Sequence, residues 1–441
     1  MNRFKSVLQL QGFPIQKAEN ALLDIQAKIS KEGYNFTIQK SWDIFNYHKD
    51  KNPCYNSFLK NKTIKQWTDI PVMSKNDLQI PLEKILSNGF SKTQVFVGKT
   101  SGSSGHPFVF AKDKFAHALT WAHIMHLYKQ HGIKVGQSLE ARFYGIPKDF
   151  KNHQKERLKD KIAKRSRFDI FDLSNQNLSK FIAAFRKNPF EYLNGYTSSM
   201  VMFAKFLKSQ NLVLKTICPS LKICITTSEM LFENDRRLLE DVFGIPVVNE
   251  YGASEVGVIA FEDVAGNWVV NNQTMFVEIV DEKGQVLPYN KEGDLVITSL
   301  YNQAYPMIRY KIGDIGLLSQ HNSKGHQVLK KLTGRTNVFA VLPSGKKVPA
   351  LAFYYVTKSV IDDKGEVKEL KVVQQTKNSF LIKYVAETEL LNHQKKSIQS
   401  AVEKYLAPGL DLKFERIDKL QRTKSGKLRQ FESNVCNDYI F

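Results

Sequence analysis

The sequence predicts an α/β fold with a large N-terminal part and a smaller α+β part at the C-terminus. A chain of 441 residues with 42% hydrophobic content can bury a large core and divide into more than one domain. Strand and helix patterns alternate up to about residue 250, as in an α/β layer domain. Short β-rich runs between glycine turns, from Trp268 to Leu318, then indicate a small and mainly antiparallel subdomain.

The first residues predict helices and loops. Ala18 to Ser30 carries apolar residues at helical spacing, and Ser74 stands where it would cap a helix. Gln94 to Gly98 reads as a strand, and Phe108 to Phe110 reads as the second arm of a hairpin. The pattern from Lys112 to Gln130 predicts a helix, which His131 and Gly132 close at its C-terminal cap.

The end of the chain predicts an independent α+β domain of a usual size. Its elements are strands at Lys368 to Gln374 and Ser379 to Val385, a helix over about 387–406, and a strand near Leu412 to Phe414. The polar stretch from Ser319 to Lys331 is the best candidate for a surface turn near a boundary.

The formal net charge of +21 fits three kinds of partner: nucleic acid, an anionic membrane, or small anions such as ATP and coenzyme A. The densest basic stretch runs over residues 148–167, where Leu158 and Ile162 form a narrow apolar stripe on a basic helix. A solvated face and a docking surface both remain open for it. RNA-recognition signatures are absent, so no specific nucleic acid is expected.

The four cysteines are scattered in the sequence and include no short Cys-x-x-Cys pair. They therefore indicate neither a zinc site nor a disulfide framework. The sequence shows no continuous signal-peptide core and no apolar run long enough to span a bilayer. A soluble protein of the reducing cytosol, and hence a cytoplasmic one, is the expectation.

A loop rich in Ser, Thr and Gly can turn backbone N–H groups and hydroxyls toward one anion, because glycine allows close approach. Such a loop lies between the two hairpin arms and comprises Thr100, Ser101, Gly102, Ser103, Ser104 and Gly105. Its spacing is not that of a Walker loop. A flexible linker is the plain alternative, but linkers seldom lie between β-rich runs.

The run from Asn249 to Glu255 combines an aromatic ring, a turn glycine at Gly252, a hydroxyl and a carboxylate. Tyr251 could stack on a purine, Ser254 could hold a phosphate, and Glu255 could bind a hard cation. A strand that ends in a capped turn is the alternative for this run in isolation.

Two further candidates lie downstream. Asp314 follows Gly313 after a strand, where a carboxylate could accept hydrogen bonds from both hydroxyls of a ribose or could serve only as a turn residue. Lys427 stands on a polar loop that Gly426 presents, in the run Gln421 to Arg429, where its ammonium group could meet an anion or simply be solvated.

Together with Leu332 to Arg335, these segments resemble in their order the core motifs of the AMP-forming acid ligases, the adenylate-forming superfamily. The Tyr-Gly-Ala-Ser-Glu run and the segment Ile225 to Glu229 are most similar to phenylacetate-CoA ligases and, closer still, to CapK-like and coenzyme F390 synthetase-like proteins. The resemblance implies a large multi-layer N-terminal adenylation domain over residues 1–334 and a small mobile C-terminal domain over 335–441.

The resemblance also implies a role for each candidate. It implies that the Thr100 to Gly105 loop holds the β- and γ-phosphates of ATP, Tyr251 contacts adenine, Ser254 the phosphates and Glu255 a Mg²⁺ ion. It likewise implies that Asp314 binds ribose and that Arg335 helps hold the nucleotide. Lys427 would bridge carboxylate and α-phosphate oxygens as the mixed anhydride forms.

Two positions depart from the family pattern. His106 stands where many members have a lysine just after the loop, which puts triphosphate affinity in question. Asn337 stands at the hinge position, usually an aspartate or lysine, so the hinge keeps its turn propensity and loses a charge.

The resulting hypothesis is a ligase that needs ATP and Mg²⁺, adenylates a small carboxylic acid and passes the acyl group to coenzyme A. One alternative keeps adenylation but uses an amine, a hydroxyl or a carrier-protein thiol as the acceptor. A second is a non-catalytic basic binding protein that retains the fold. Related ligases are often dimers, so a homodimer is a further expectation from the resemblance.

Overall fold

The computed structural model describes residues 2–60, 62–100, 108–145, 150–320, 326–335, 339–349, 367–422 and 428–435. Its helices, in chain order, are α1 Arg3–Leu10, α2 Ile15–Glu32, α3 Tyr34–Lys51, α4 Pro53–Leu59, α5 Lys75–Leu78, α6 Leu82–Ile85, α7 Lys114–Gln130, α8 Phe150–Ile162, α9 Asn175–Lys187, α10 Thr197–Ser209, α11 Leu214–Ile217, α12 Glu233–Phe243 and α13 Asn392–Tyr405. A short 3₁₀ helix spans Trp67–Asp69.

The strands form one large sheet, two hairpins and a second, smaller sheet. They are β1 Val95–Lys99, β2 Val109–Asp113, β3 Glu140–Phe143, β4 Arg165–Arg167, β5 Tyr192–Tyr196, β6 Ile223–Thr227, β7 Val247–Ala253, β8 Gly257–Glu262, β9 Trp268–Val270, β10 Met275–Val280, β11 Glu292–Ser299, β12 Tyr310–Ser319, β13 Val328–Arg335, β14 Phe339–Val341, β15 Lys347–Pro349, β16 Val367–Gln374, β17 Ser379–Ala386, β18 Asp411–Arg416 and β19 Phe431–Ser433.

The large sheet has 11 strands in the order β10-β11-β12-β13-β9-β8-β7-β6-β5-β3-β4. Strands β4, β3, β5, β6 and β7 pair in parallel, whereas every pair from β7 to β10 is antiparallel. The strands between Trp268 and Leu318 are antiparallel, as the sequence predicts. They do not form a separate sheet, because they continue the large sheet through β8 and β9. Strand β7 therefore belongs to both halves, and its carboxyl end lies where the pairing changes.

Helices cover both faces of the parallel half, as parallel strands require. On one face α9, α10 and α12 pack on the sheet around Phe143, Leu193 and Cys224. On the other face α1, α2 and α7 pack around Tyr192, Ile225 and Val248. The predicted helix at Ala18 to Ser30 is confirmed as part of α2, whose buried residues recur every three to four positions.

The hairpin of β1 and β2 and the helix after it also agree with the sequence. Lys99 pairs with Val109, so residues 101–107 connect the two strands. A Cβ on Gly98 would come within 2.2 Å of the Phe110 ring, which explains the glycine in this strand. Asp113 caps α7 by accepting from the Ala116 amide at 2.8 Å, so the helix begins two residues later than predicted and Lys112 belongs to β2.

The small sheet has the order β18-β17-β16-β19 and packs on α13. Its strands β16, β17 and β18 and its helix lie where the sequence predicts them, within a few residues at each end. Arg422 and Leu428 form an isolated antiparallel bridge next to this sheet. The division into domains at residue 335 stays a prediction.

Helix α8 coincides with the basic stretch, but its apolar stripe is not buried, since Leu158 is 61% exposed. Arg167 in β4 forms ion pairs with Glu156 and Asp160 of the helix at 3.1 and 2.8 Å. None of the helices in the described part of the chain is long and apolar enough to cross a membrane. Cys54, Cys218 and Cys224 are free thiols, and Cys436 lies outside the described residues.

Candidate active site

The carboxyl ends of β3, β5, β6 and β7 lie side by side, and in open α/β sheets ligands bind at this edge. The residues there include Tyr144 directly after β3, Tyr196 at the end of β5 and Ser228 directly after β6. Ser228 has a φ of 66°, a left-handed conformation that few residues other than glycine adopt. Such strain is found most often at functional sites and points to this edge.

Tyr251 and Asp314 meet at this edge although 63 residues separate them. The Tyr251 hydroxyl donates to Asp314 Oδ2 at 2.6 Å, and both side chains are almost fully buried. Tyr251 lies in β7 and Asp314 in β12, so the sheet brings together the residues predicted for adenine and for ribose. A register shift between Tyr251 and Gly252 changes the direction of β7 at this point.

Glu255 lies in the turn that joins β7 to β8, and its side chain is turned inward. Its Oε1 accepts a hydrogen bond from the Tyr310 hydroxyl at 3.2 Å. The neighbouring Ser254 is exposed, so its hydroxyl faces solvent at the same turn. Gly252 is required by packing, because a Cβ there would lie 2.7 Å from the Gly257 carbonyl oxygen.

Tyr310 connects Glu255 to the base of the Ser/Gly loop. Its ring stacks on Phe108, with centroids 6.2 Å apart and planes at 26°, and both rings are buried. Thr100 and Phe108 close the loop, since the Thr100 amide donates to the Phe108 carbonyl at 2.9 Å and the Phe108 amide donates to Thr100 Oγ1 at 3.1 Å. Tyr310 is thus a site residue that the sequence reasoning missed.

Lys112 is a second residue that the sequence reasoning missed. It is the residue before the last in β2, lies near Glu255, is 5% exposed and donates to Thr120 Oγ1 at 3.3 Å. Burial lowers the pKa of Lys112 to about 8, and the nearby Glu255 carboxylate opposes that shift. The site therefore contains a lysine at the foot of β2, six positions after His106 in the sequence.

A polar cluster fills the face of the parallel strands toward α7. The Tyr128 hydroxyl donates to Glu250 Oε2 at 3.0 Å and accepts from Asn194 Nδ2 at 3.1 Å. Burial raises the pKa of Glu250, and the hydrogen bonds from Tyr128 and Thr227 work against that shift. Hydrogen-bonding groups therefore reach the carboxyl edge of the parallel strands.

An aromatic pair borders this cluster. The Tyr144 and Tyr196 rings contact each other with centroids 4.6 Å apart. The Arg142 guanidinium lies over the Tyr144 ring, 4.1 Å from its centroid, and forms an ion pair with Glu140 at 2.7 Å. The two tyrosines lie at the carboxyl ends of β3 and β5, and Arg142 fixes the orientation of Tyr144.

Arg309 lies five positions before Asp314 in the sequence, and its environment is structural. Its side chain is 1% exposed, and its guanidinium donates to the Ile70 carbonyl at 2.6 Å and to the Gly284 carbonyl at 2.8 Å. It also forms an ion pair with Glu278 at 3.2 Å. Arg309 thereby ties the segment before α5 to the start of β12, which carries Tyr310.

The remaining predicted residues are only partly described. The backbone of Arg335 pairs with Asp314 across β12 and β13, which places both residues at one level of the sheet. Ser101, Gly102, Ser103, Ser104, Gly105, His106, Asn337 and Lys427 lie outside the described residues. Their predicted roles, like those of the described candidates, stay predictions.

Several known proteins are similar to this chain in sequence. A family model of the CapK C-terminal domain matches residues 341–434. Protein CapK of Staphylococcus aureus is 23% identical over 424 residues, covering 94% of this chain and 90% of CapK. A phenylacetate-coenzyme A ligase of Aromatoleum evansii is 33% identical over 128 residues, covering 28% of this chain and 29% of the ligase. The chain is therefore similar to CapK along almost all of its length and to a phenylacetate-CoA ligase over part of it, as the resemblance in its sequence predicts.

The fold of this chain is also found in a solved 2-hydroxyisobutyryl-CoA ligase in complex with an acyl-AMP, in its postadenylation state. That structure has a TM-score of 0.68 at 16% identity, covering 91% of this chain and 89% of the ligase. The same ligase gives TM-scores of 0.57 in an open conformation and 0.54 in its thioesterification state. These likenesses establish the α/β architecture with its C-terminal domain.

Proposed function

We propose that the protein activates a carboxylic acid with ATP, forming an acyl-adenylate and pyrophosphate, and then passes the acyl group to the thiol of coenzyme A. The observation that carries the proposal is a set of two buried hydrogen bonds, from Tyr251 to Asp314 and from Tyr310 to Glu255, which connect β12 to β7 and to the turn after it. Tyr251, Asp314 and Glu255 would meet the adenine, the ribose and the phosphates of a nucleotide. The similarity to a phenylacetate-CoA ligase supports the same activity.

In the first step a carboxylate oxygen of the acid attacks the α-phosphorus of ATP. The bond from that phosphorus to the bridging oxygen breaks, and pyrophosphate leaves with the bond electrons. Asp314 would accept hydrogen bonds from the ribose hydroxyls and Tyr251 would contact the base, so the α-phosphorus is held within reach of the acid. The Lys427 ammonium would stabilise the negative charge that gathers on the α-phosphate oxygens.

A Mg²⁺ ion fits the residues present. Within the described ranges no group of three or more His, Cys, Asp or Glu side chains could hold a metal by itself. Mg²⁺ is often held by one or two carboxylates together with substrate phosphates, and Glu255 supplies such a carboxylate. When bound, the ion would neutralise charge on the phosphate oxygens.

In the second step the sulfur of the thiol attacks the acyl carbon, the bond to AMP breaks, and the thiol proton passes to solvent. Tyr251, Asp314 and Glu255 would all bind the nucleotide, so they do not determine which acceptor receives the acyl group. An amine, a hydroxyl or a carrier-protein thiol is the alternative acceptor. A product mass measured with and without coenzyme A separates these acceptors.

The test is a panel of carboxylic acids scored by pyrophosphate release. We expect release with at least one acid, and we expect Lys427→Ala to lower its rate by about 10² to 10³, by analogy with the loss of one preorganised oxyanion donor. Lys424→Ala is the matched control, because it removes the same charge three positions away on the same loop.

Equal rates for Lys427→Ala and the parent would remove Lys427 from the mechanism. If no acid supports release, the basic binding protein becomes the better hypothesis. Its binding to nucleic acid would weaken steeply with salt and would not respond to Lys427→Ala.

A further inference from the structure

One carboxylate joins the two parts of the molecule next to the Lys427 segment. The Leu428 amide donates to Glu229 Oε1 at 3.2 Å, and Glu229 lies 199 residues earlier, just after β6. The bridge between Arg422 and Leu428 brings the two ends of residues 422–428 together. The Glu229 contact therefore fixes the amide of the residue that directly follows Lys427 in the chain.

The second oxygen of Glu229 binds the first turn of α10. Glu229 Oε2 accepts from the Ser198 amide at 2.7 Å. Tyr196 stands at the N-cap of α10, and its side chain forms no capping hydrogen bond. The Glu229 carboxylate, from the segment after β6, accepts a hydrogen bond at this helix end instead. Because α10 is a helix of 13 residues packed in the core, Glu229 is anchored on a rigid element.

Arg422 also connects the C-terminal part of the chain to α10. Its guanidinium donates to Ser198 Oγ at 3.1 Å and forms an ion pair with Glu369 of β16. The Arg422 and Glu369 side chains are only 5% and 9% exposed, so solvent screens their interaction little. Ser198 thus binds Glu229 through its amide and Arg422 through its hydroxyl.

Contacts around the junction are mostly polar. The Lys205 ammonium donates to the Val367 carbonyl at 2.9 Å, and the Lys419 ammonium donates to the Phe171 carbonyl at 2.5 Å. Phe232, just before α12, packs against the core of the small sheet. An interface of this kind can separate and reform more readily than an apolar core.

The arrangement of the large and small sheets that this junction stabilises can be compared with three states of one solved ligase. The one ligase compared in three states gives its highest TM-score, 0.68, in the postadenylation state and falls to 0.57 and 0.54 in the other two. Because the three comparisons involve the same protein at 14–16% identity, the difference reflects the arrangement of its parts. The junction therefore belongs to an arrangement similar to that of this ligase in its postadenylation state, after the acid has been adenylated.

We propose that Glu229 is a positioning residue for the adenylation step, an inference that rests on the proposed function. Its carboxylate holds the Leu428 amide against α10 and, with Arg422, fixes the residues on both sides of the stretch that contains Lys427 while the anhydride forms. Glu229 acts through Lys427 and contacts neither substrate.

The first experiment compares Glu229→Ala, Glu229→Gln and the parent in each half of the reaction, with the acid that the panel identifies. Glu233→Ala is the matched control, because Glu233 forms an exposed pair with Arg237 at 3.0 Å on the adjacent helix. We expect Glu229→Ala to lower kcat for pyrophosphate release about tenfold, the effect of one charge-assisted hydrogen bond. KM for ATP and the rate of thioester formation from the supplied acyl-adenylate should stay unchanged.

Glu229→Gln keeps an acceptor oxygen without the charge, so it should restore part of the loss. In a Lys427→Ala background, Glu229→Ala should cause no further decrease, because the two residues act as a unit. A full tenfold loss in that background, or an equal loss in both half-reactions, would overturn the proposal. Melting temperatures of all variants separate these effects from misfolding.

The second experiment needs no substrate and reports the contact itself. Trypsin cleaves after Arg422, Lys424 and Lys427, and we expect the initial rate of cleavage in this segment to rise about tenfold in Glu229→Ala, with Glu233→Ala equal to the parent. Unchanged cleavage would overturn the proposal. A further outcome is that the parent releases no pyrophosphate with any acid while Glu229→Ala still raises cleavage. The proposed function and the role of Glu229 in adenylation would then both be wrong, and only the contact between Glu229 and Leu428 would be supported.

Discussion

The two halves of the candidate site are built in different ways. On the nucleotide side, two buried hydrogen bonds, from Tyr251 to Asp314 and from Tyr310 to Glu255, connect β12 to β7 and to the turn after it. On the C-terminal side, a small set of polar contacts around Glu229 and Arg422 connects the C-terminal part of the chain to α10 and to the segment after β6. The first half is therefore preorganised by the fold, whereas the second depends on how the parts dock. Substitutions on the nucleotide side should cost stability, and substitutions at the junction should change one step of the reaction.

Arg309 offers the strongest test of the first half. Replacing it by methionine leaves Glu278 as an uncompensated buried charge and frees the Ile70 and Gly284 carbonyls. We expect the free energy of unfolding in urea to fall by about 3–5 kcal/mol, the usual cost of breaking a buried pair from one side. Arg237→Met, which removes an exposed pair with Glu233, is the control and should change stability by less than about 1 kcal/mol. An equal effect of both substitutions would contradict the contrast.

His48 supports the β1–β2 hairpin and gives a pH-dependent test of the same half. Its Nε2 donates to the Asn302 carbonyl at 2.9 Å, its Nδ1 accepts from Ser87, and Asn302 in turn binds the Asp113 amide at 3.2 Å. Burial lowers the pKa of His48 to about 4. The unfolded chain, with a histidine pKa of about 6.5, then binds the proton more strongly than the folded chain between those values.

The sign follows from that difference. The free energy of unfolding should be constant with respect to His48 above pH ~6.5 and should fall by about 2–3 kcal/mol as the pH drops toward 4. Urea titrations at half-unit pH steps measure this slope. Burial lowers the pKa of His117 and of His123 to about 3, so both add to the slope of unfolding free energy against pH. His48→Gln should therefore remove only the part of this slope that His48 contributes. A slope unchanged by His48→Gln would show that His48 is not buried in its neutral form.

The same contrast explains what the sequence could predict. Tyr251, Glu255 and Asp314 lie in short segments whose residue types suggest nucleotide chemistry, so a local reading finds them. Arg309 stands in one of these segments, but its partners at Ile70 and Glu278 are 239 and 31 residues away. Nothing local distinguishes such a buried structural arginine from a ligand for an anion.

Other residues were missed because their roles depend on packing. Tyr310 connects two motifs only because β12 passes between them, and Lys112 is at the site only because β2 ends beside Glu255. The segment Ile225 to Glu229 supports the family resemblance, yet the partner of Glu229 is 199 residues further along. The antiparallel strands were predicted correctly, but their continuity with the parallel strands follows from pairing that residue patterns do not encode.

Tyr310→Phe is the smallest expected effect and the sharpest probe of the nucleotide side. It removes the hydrogen bond to Glu255 while the ring stays on Phe108, so the carboxylate loses one partner that orients it. We expect a rise of about tenfold in KM for ATP or an equal loss in kcat for pyrophosphate release, with about 1 kcal/mol lost from the free energy of unfolding. Tyr384→Phe is the matched control, because its buried hydroxyl accepts a hydrogen bond from the Leu390 amide at 3.2 Å in the small sheet. That control should lose similar stability and keep its kinetics, whereas parallel kinetic losses in both variants would mean that Tyr310 acts only through the stability of the fold.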